Sequence, residues 1–256
     1  MLSARKLGNT GLAVSPIGLG TVKFGRNQGV RYPQGFELPE DQTLARLLDQ
    51  ASELGINLLD TAPAYGASEA TLGRLLPKRR DRFLVCSKAG ESFNGASSTY
   101  DFSAEALIAS AERSLQRLGI DHLDILLIHA DGNDEAIIRG GALDVLIDLR
   151  ERGLVRAIGM STKTVAGGLM ALGASDVVMV TLNRQETADT AVIDSAIDAG
   201  RGVLIKKALM SGHDDAPAEA LRFAADYPGV TSVIVGTLSA DHLAEKSRHT
   251  LIVHRT

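Results

Sequence analysis

The stretch Ile56-Asn57-Leu58-Leu59-Asp60-Thr61-Ala62-Pro63-Ala64-Tyr65-Gly66 carries the reading from which the rest follows. Its apolar start, 56–59, has the character of a buried strand. Asp60 then puts a carboxylate at the strand's end, and Tyr65 places a phenol on the loop beyond. Such a pair is suited to proton chemistry. The next two strand-like runs end in the same manner, 83–87 with Lys88 and 123–128 with His129. Three successive strands therefore deliver Asp60, Tyr65, Lys88 and His129 to one rim.

Outward from this stretch, short β-branched runs alternate with amphipathic segments, the pattern of βα units around a parallel sheet. The runs are 17–20, 56–59, 83–87, 123–128, 155–160, 177–181, 202–205 and 232–235, eight in all. Between them, 41–54, 104–118, 142–151 and 190–199 show apolar residues recurring at three and four, which predicts helices. Each of these stops at a glycine, Gly55, Gly119, Gly153 or Gly200, the residue best able to take a left-handed helix end. Ahead of the first unit, Gly8-Asn9-Thr10-Gly11 sits between short alternations, a hairpin signal, and a hairpin there would plug the N-terminal mouth of a barrel. Residues 24–39, rich in Gly and Pro, read as a loop on the opposite rim. An open doubly wound sheet is the rival architecture, but Gly18-Leu19-Gly20 runs into Thr21-Val22-Lys23 where a dinucleotide fingerprint needs Gly-x-x-Gly. Eight units in 256 residues fit a (β/α)8 TIM barrel, a single domain over residues 1–256 with an N-terminal β-hairpin closing the bottom.

Bulk properties narrow the partners. The net charge of -4 argues against a nucleic-acid or anionic-membrane surface, whose footprint would be a basic stripe. The longest basic cluster, Lys78-Arg79-Arg80-Asp81-Arg82, is interrupted by a carboxylate and reads as a solvated connector. No apolar run approaches the roughly 20 residues of a membrane span, and Met1-Leu2-Ser3-Ala4-Arg5 lacks a secretory apolar core, so a cytoplasmic location is expected. One cysteine, Cys86, excludes an intrachain disulfide and a multi-cysteine zinc site; lying in an apolar run, it reads as a small core residue.

The four rim residues have mutually consistent chemistry. Tyrosine is a reluctant acid, and an adjacent ammonium, here Lys88, stabilises its phenolate and draws its pKa toward working pH. Asp60 would keep a buried Lys88 cationic, and His129 could donate a hydrogen bond that orients an incoming carbonyl oxygen beside Tyr65. Taken singly, each residue has an ordinary explanation: a turn cap, a loop aromatic, a snorkelling lysine, a core histidine. Four of them at the same end of three consecutive strands are less easily so explained.

The Asp60-Thr61-Ala62-x-x-Tyr65-Gly66 motif, Lys88 after a strand, Leu127-Ile128-His129 and Gly159-Met160-Ser161 together resemble the ordered motifs of the aldo-keto reductase superfamily. The likeness runs from Lys6 to about Lys246. It implies a (β/α)8 barrel that reduces aldehydes and ketones with a nicotinamide cofactor, usually NADPH. Tyr65 would be general acid, Lys88 and Asp60 the pair tuning it, and His129 the substrate orienter. The implied cofactor residues are Thr21, Ser161, Thr162, Lys206, Leu209, Ser211, Gly236, Thr237, His242 and Lys246.

The chain departs from the family pattern on the cofactor side. Ser161-Thr162 stands where Ser-Asn is common, and Met179 where a Gln is common. Lys206, followed by Lys207, replaces an aromatic ring that often stacks under the nicotinamide, so its ammonium would meet the pyrophosphate or approach the active site. Gly236-Thr237 and His242 replace the Lys-Ser and Arg that grip a 2′-phosphate. NADPH remains the expected cofactor, with NADH possible. The tail 251–256 is shorter than the C-terminal loop of many relatives, which leaves the pocket to Val22, Phe24, Phe93 and the 24–39 loop and predicts broad tolerance for small carbonyl substrates. Two other functions fit the residues: a Schiff-base lyase using Lys88 or Lys206, and a cofactor-binding regulatory protein with little turnover. Oligomeric state is not written in the sequence.

Overall fold

In the computed structural model, residues 2–30, 32–239 and 241–245 are described. A two-stranded hairpin, β1 (Arg5–Lys6) and β2 (Ala13–Val14), precedes the first barrel strand, β3 (Ile17–Gly20). Then follow α1 (Asp41–Glu53), β4 (Leu58–Asp60), α2 (Ser68–Leu75) and β5 (Leu84–Ala89). A second hairpin, β6 (Glu91–Phe93) and β7 (Ser98–Tyr100), intervenes before α3 (Ala104–Leu118) and β8 (Leu123–His129). The remainder runs α4 (Asp134–Arg139), α5 (Ala142–Glu151), β9 (Val155–Ser161), α6 (Val165–Ala171), β10 (Val177–Thr181), α7 (Thr190–Asp198), β11 (Gly202–Lys206), α8 (Pro217–Ala225) and β12 (Ser232–Gly236). Strands β3-β4-β5-β8-β9-β10-β11-β12 pair in parallel, and β12 closes on β3 with Val233 opposite Ile17 and Gly236 opposite Gly20. The barrel expected from the sequence is thus closed, and the open sheet is excluded.

Side-chain alternation sorts the core into two layers. Leu58, Cys86, Ile125, Leu127, Ala157, Val177, Met179 and Leu204 form the cluster inside the barrel. Leu7, Leu12 and Val14 from the first hairpin join that same cluster, so the hairpin closes the N-terminal mouth as expected. The opposite parity, with Leu59, Val85, Leu126, Ile128, Ile158, Val178 and Ile205, packs outward against the helices. This parity positions the site. Asp60, Lys88, His129, Ser161 and Lys206 continue the inward series Leu58, Cys86, Leu127, Gly159 and Leu204, one step nearer the C-terminal rim. The strands extend far enough to include these polar residues, a residue or two beyond the apolar runs that announced them.

Helix boundaries follow local chemistry. Ser103 caps α3, its hydroxyl accepting from the Ala106 N–H, and the four helix-ending glycines all adopt positive φ. The basic connector is more than solvated: Arg79 pairs with Asp49 at 2.6 Å, and Arg80 reaches the buried carboxylate of Asp124 at 3.0 Å. Among the described residues no helix is long and apolar enough to cross a membrane.

Gly159 shows how little slack the barrel wall has. A Cβ there would lie 1.9 Å from the Val177 carbonyl oxygen and 2.9 Å from a Leu127 methyl. The first neighbour is backbone of the adjacent strand and cannot move aside alone. Gly159→Ala is expected to lower unfolding free energy by about 3 kcal/mol, the upper end of overpacking costs, readable as a shifted urea midpoint. An unchanged midpoint would show that β9 and β10 can separate locally.

Candidate active site

The end of β4 and its loop are built around buried hydroxyls. Thr21 Oγ1 donates to the Asp60 carbonyl at 2.9 Å and meets Ser68 Oγ at 2.8 Å, while Ser68 Oγ lies 3.1 Å from Thr61 Oγ1. These bonds tie the ends of β3 and β4 to the start of α2. Pro63–Tyr65 form a single 3-10 turn, closed by the Tyr65 N–H bonding to the Ala62 carbonyl at 3.0 Å. Gly66 follows with φ 61°, and a Cβ on it would come 2.3 Å from the Gly25 carbonyl. The glycine of the motif is therefore required by a close loop crossing, which aims the Tyr65 phenol back over the barrel.

Lys88 is the hub. Its ammonium, 1% exposed, donates to Asp60 Oδ1 at 2.6 Å, the Thr61 carbonyl at 2.9 Å and Tyr65 Oη at 3.3 Å. Three protons meet three acceptors. Burial is the largest single influence and works against the charge, but Asp60, joined by Tyr65 and Cys86, outweighs it and holds the Lys88 pKa above its ordinary value. The phenol behaves differently from the sequence expectation. Burial is the largest influence on Tyr65 and raises its pKa; Lys88 pulls it down and Asp60 pushes it up again, leaving it well above the ordinary tyrosine value. Lys88 moderates the phenol without bringing it to working pH, so Tyr65 stays protonated in the free protein.

His129 faces Tyr65 edge-on, ring centroids 6.4 Å apart. Its Nδ1 lies 2.8 Å from Glu91 Oε2, close but bent away from an aligned hydrogen bond. Burial dominates its titration and lowers its pKa below the usual 6.5; Glu91 opposes this, while Lys88 and Lys206 add to it. Glu91 itself is pushed up by burial but held down at about 2 by His129 and by the hydroxyls of Ser98 and Tyr100.

These groups open onto a cavity of about 420 Å³ at the C-terminal rim, where Asp60, Tyr65, Lys88, His129, Ser161 and Lys206 meet. Its wall continues through Leu209, Ser211, Gly236, Thr237 and His242, so most of the expected cofactor residues are brought together with the four rim residues. Thr162 lies beside it, buried, with Oγ1 lacking any hydrogen-bond partner. Thr21 is not part of this surface: it is fully buried and its hydroxyl is spent on Asp60 and Ser68. Lys246 lies outside the described residues, as does the tail 251–256. A larger depression of about 550 Å³ at the opposite mouth is lined by Arg80, Arg156 and Asp124, which pair with one another, and it holds none of this chemistry.

Lys206 takes a place that the sequence left between two options. It points inward at the end of β11, donating to Ser161 Oγ at 2.9 Å and to the Thr162 carbonyl. Burial, then the neighbouring Lys207, drives its pKa down to about 7. Lys207 is exposed and has φ 57°, so the chain leaves the strand between the two lysines. Lys88, fully engaged as an ammonium, offers no free amine for a Schiff base, which removes it from the lyase alternative.

The pocket wall also differs from expectation. Phe24 belongs to the outer core, 2% exposed, and Phe93 stacks under the Arg26 guanidinium at 3.6 Å. Val22 does line the cavity, joined by Tyr32 from the 24–39 loop, whose ring lies 4.1 Å from the Lys23 ammonium. Glu91 and Tyr32 went unread in the sequence. Asn94-Gly95 flanked by Glu91-Ser92-Phe93 and Ser98-Thr99-Tyr100 is a hairpin signal that would have found the first; nothing local marks the second.

Residues 16–189 match the model for the Aldo/keto reductase family. L-galactose dehydrogenase from Arabidopsis thaliana is 35% identical over 173 residues, covering 62% of this chain and 48% of that protein. D-threo-aldose 1-dehydrogenase from a Pseudomonas species is 26% identical over 231 residues, covering 79% and 68%. The chain spans about half the length of most curated relatives it matches. A solved structure from Pseudomonas aeruginosa, assigned to the aldo-keto reductases, superposes with TM-score 0.89 at 47% identity over 96% of this chain and 93% of its own.

Proposed function

The chain belongs to the aldo/keto reductase family, and from that premise we propose that it reduces aldehydes or ketones to alcohols with NAD(P)H, Tyr65 delivering the proton. The contact set of Lys88, one ammonium bonded at once to Asp60, Thr61 and Tyr65, is the observation that carries this reading. Bound nicotinamide supplies the hydride. Every other requirement falls on the chain's own residues. A phenol kept protonated by burial is in the form a general acid needs, and the Lys88 charge 3.3 Å away stabilises the phenolate left when the proton goes to the developing alkoxide. His129, across the cavity from Tyr65, holds the substrate oxygen within reach of the phenol. Steady oxidation of NADPH or NADH on adding members of an aldehyde and ketone panel tests the proposal. Cofactor binding without turnover across the panel would favour the regulatory alternative.

The residues present fit a nicotinamide cofactor. Ser161 lines the cavity and could bond an amide group there, and the Thr162 hydroxyl beside it is buried without a partner. Met179 on the neighbouring strand contributes apolar surface only, so this end of the site has fewer polar contacts than the family pattern. At the other end, Gly236, Thr237 and His242 line the cavity, with Thr237 Oγ1 accepting from the Ser239 N–H. NADPH is the favoured cofactor, its 2′-phosphate held by His242 with Lys246. One charge-assisted contact is worth about 1.5 to 3 kcal/mol, or roughly 10 to 150 fold. Replacing His242 and Lys246 together by Ala is therefore expected to bring the NADPH to NADH affinity ratio toward one while sparing NADH binding, as read by fluorescence titration. A ratio indifferent to the double substitution would place the phosphate elsewhere, with Lys206 or Lys207 the next candidates.

The reading places the protein in the cytoplasm, acting on small molecules. Several relatives are named dehydrogenases, including those for L-galactose and D-threo-aldose, so oxidation of hydroxylated substrates belongs in the same assays.

A further inference from the structure

We propose that Glu91, on the β6–β7 hairpin, is a positioning residue that fixes the proton of His129 on Nδ1, so that the ring holds a carbonyl oxygen only as imidazolium and a hydroxyl only as neutral imidazole. The proposal rests on the oxidoreductase reading above, and extends it to how the site chooses between the two directions of one reaction.

The geometry leaves one arrangement of protons. An imidazole lone pair and a carboxylate are both acceptors, and at 2.8 Å they repel unless a proton lies between them. Glu91 does not carry that proton. The hydroxyls of Ser98 and Tyr100 on the facing strand also lower its pKa, Tyr100 being paired directly to Glu91 across the hairpin. Although Glu91 is buried, its neighbours hold the carboxyl down at about 2, so it is ionised and the shared proton sits on Nδ1. In the neutral ring Nε2 is then a lone pair, and His129 lines the cavity shared with Tyr65 and Lys206.

A lone pair cannot hold a carbonyl oxygen, which also has only lone pairs to offer. It can accept the hydrogen of an alcohol. For the ring to grip a carbonyl it must take a second proton on Nε2. The groups bearing on that step come from each element around the ring. Glu91 from β6 favours the charge; Lys88 from β5 opposes it, and Lys206 from β11 opposes it while protonated, an opposition that fades as pH rises through its own value of about 7. The Tyr65 ring from the loop after β4 and Ser161, paired with His129 across β9, are uncharged. Asp60 is already bound to Lys88. Burial tips the balance toward the neutral ring at neutral pH, in keeping with the lowered pKa. Carbonyl reduction should therefore strengthen on the acid side and alcohol oxidation on the neutral and alkaline side, both through one histidine.

Nitrogen chemical shifts of the His129 ring in the free protein, at about pH 8, read the tautomer without any need for turnover. The expected pattern is a protonated Nδ1 and an unprotonated Nε2; a protonated Nε2 would overturn the proposal. In the wild type, kcat/KM for an aldehyde should fall by about tenfold per pH unit above the His129 pKa, as one essential proton is lost. Glu91→Met frees the ring to carry its single proton on Nε2, so that decline should flatten and kcat/KM for alcohol oxidation at about pH 8 should drop by about tenfold. A residue with a merely structural role would leave the pH profile in place, and an unchanged profile in a folded Glu91→Met protein refutes the assignment. Tyr100→Phe, which removes one donor to Glu91, gives a milder variant that should move the profile in the same direction; NADPH titration shows whether each variant keeps its fold. Absence of aldehyde turnover in the wild type would count against the oxidoreductase reading alone, since the nitrogen shifts still decide the tautomer.

Discussion

Tyr65→Phe is expected to lower carbonyl-reduction turnover by about 10² fold or more while leaving cofactor affinity and the unfolding midpoint near those of the wild type. The substitution removes one oxygen from a site whose other members hold each other in place. Lys88 keeps Asp60 at 2.6 Å and the Thr61 carbonyl at 2.9 Å, so it remains an ammonium with two of its three partners. The ring itself still packs against His129 and the loop crossing at Gly66 is untouched. What disappears is the proton delivered to the alkoxide. A Phe variant that turns over at the wild-type rate would transfer the acid role to another group, with His129 across the cavity the next candidate.

Lys88→Met should be as damaging to turnover and, unlike the first variant, should also destabilise the fold. The ammonium is 1% exposed and Asp60 is 3% exposed, so removing the cation leaves a carboxylate buried without its counter-charge. Breaking a buried pair in this way costs about 3 to 5 kcal/mol, partly relieved if Asp60 takes up a proton. Denaturant midpoints should fall accordingly. In the wild type the Lys88 pKa is raised in the folded state, so its contribution is complete below the ordinary lysine range and is lost only as pH rises through the elevated folded value. If Lys88→Met keeps the wild-type midpoint, Asp60 has another partner. If it keeps the wild-type pH-rate profile, the lysine does not stabilise the phenolate.

The two substitutions separate roles that the sequence presented together. The spacing from Asp60 to Tyr65 and the strand-end positions of Lys88 and His129 identified the site, because each is a local fact: a strand of period two ends where its apolar run ends, and residues continuing the inward parity must meet at the rim. The eight runs and the glycine stops were legible for the same reason, as was the first hairpin. The second hairpin was missed although Asn94-Gly95 marks it, since its strands carry polar and aromatic residues without an apolar face.

What the sequence by itself determined, then, is the barrel, its closed mouth and the identity of the four rim residues. Only the tertiary structure decided how those residues titrate and what their neighbours do. Burial of Tyr65 outweighs the Lys88 charge and keeps the phenol protonated, a balance that depends on solvent exclusion by strands far apart in the chain. Thr21 is withdrawn from the cavity because its hydroxyl meets Asp60 and Ser68, 39 and 47 residues away. Lys206 reaches Ser161 across 45 residues, and Glu91 meets His129 across the gap between a hairpin and a strand. Desolvation and hydrogen bonding act over a few ångströms of space, and such distances between residues remote in sequence exist only once the barrel has closed.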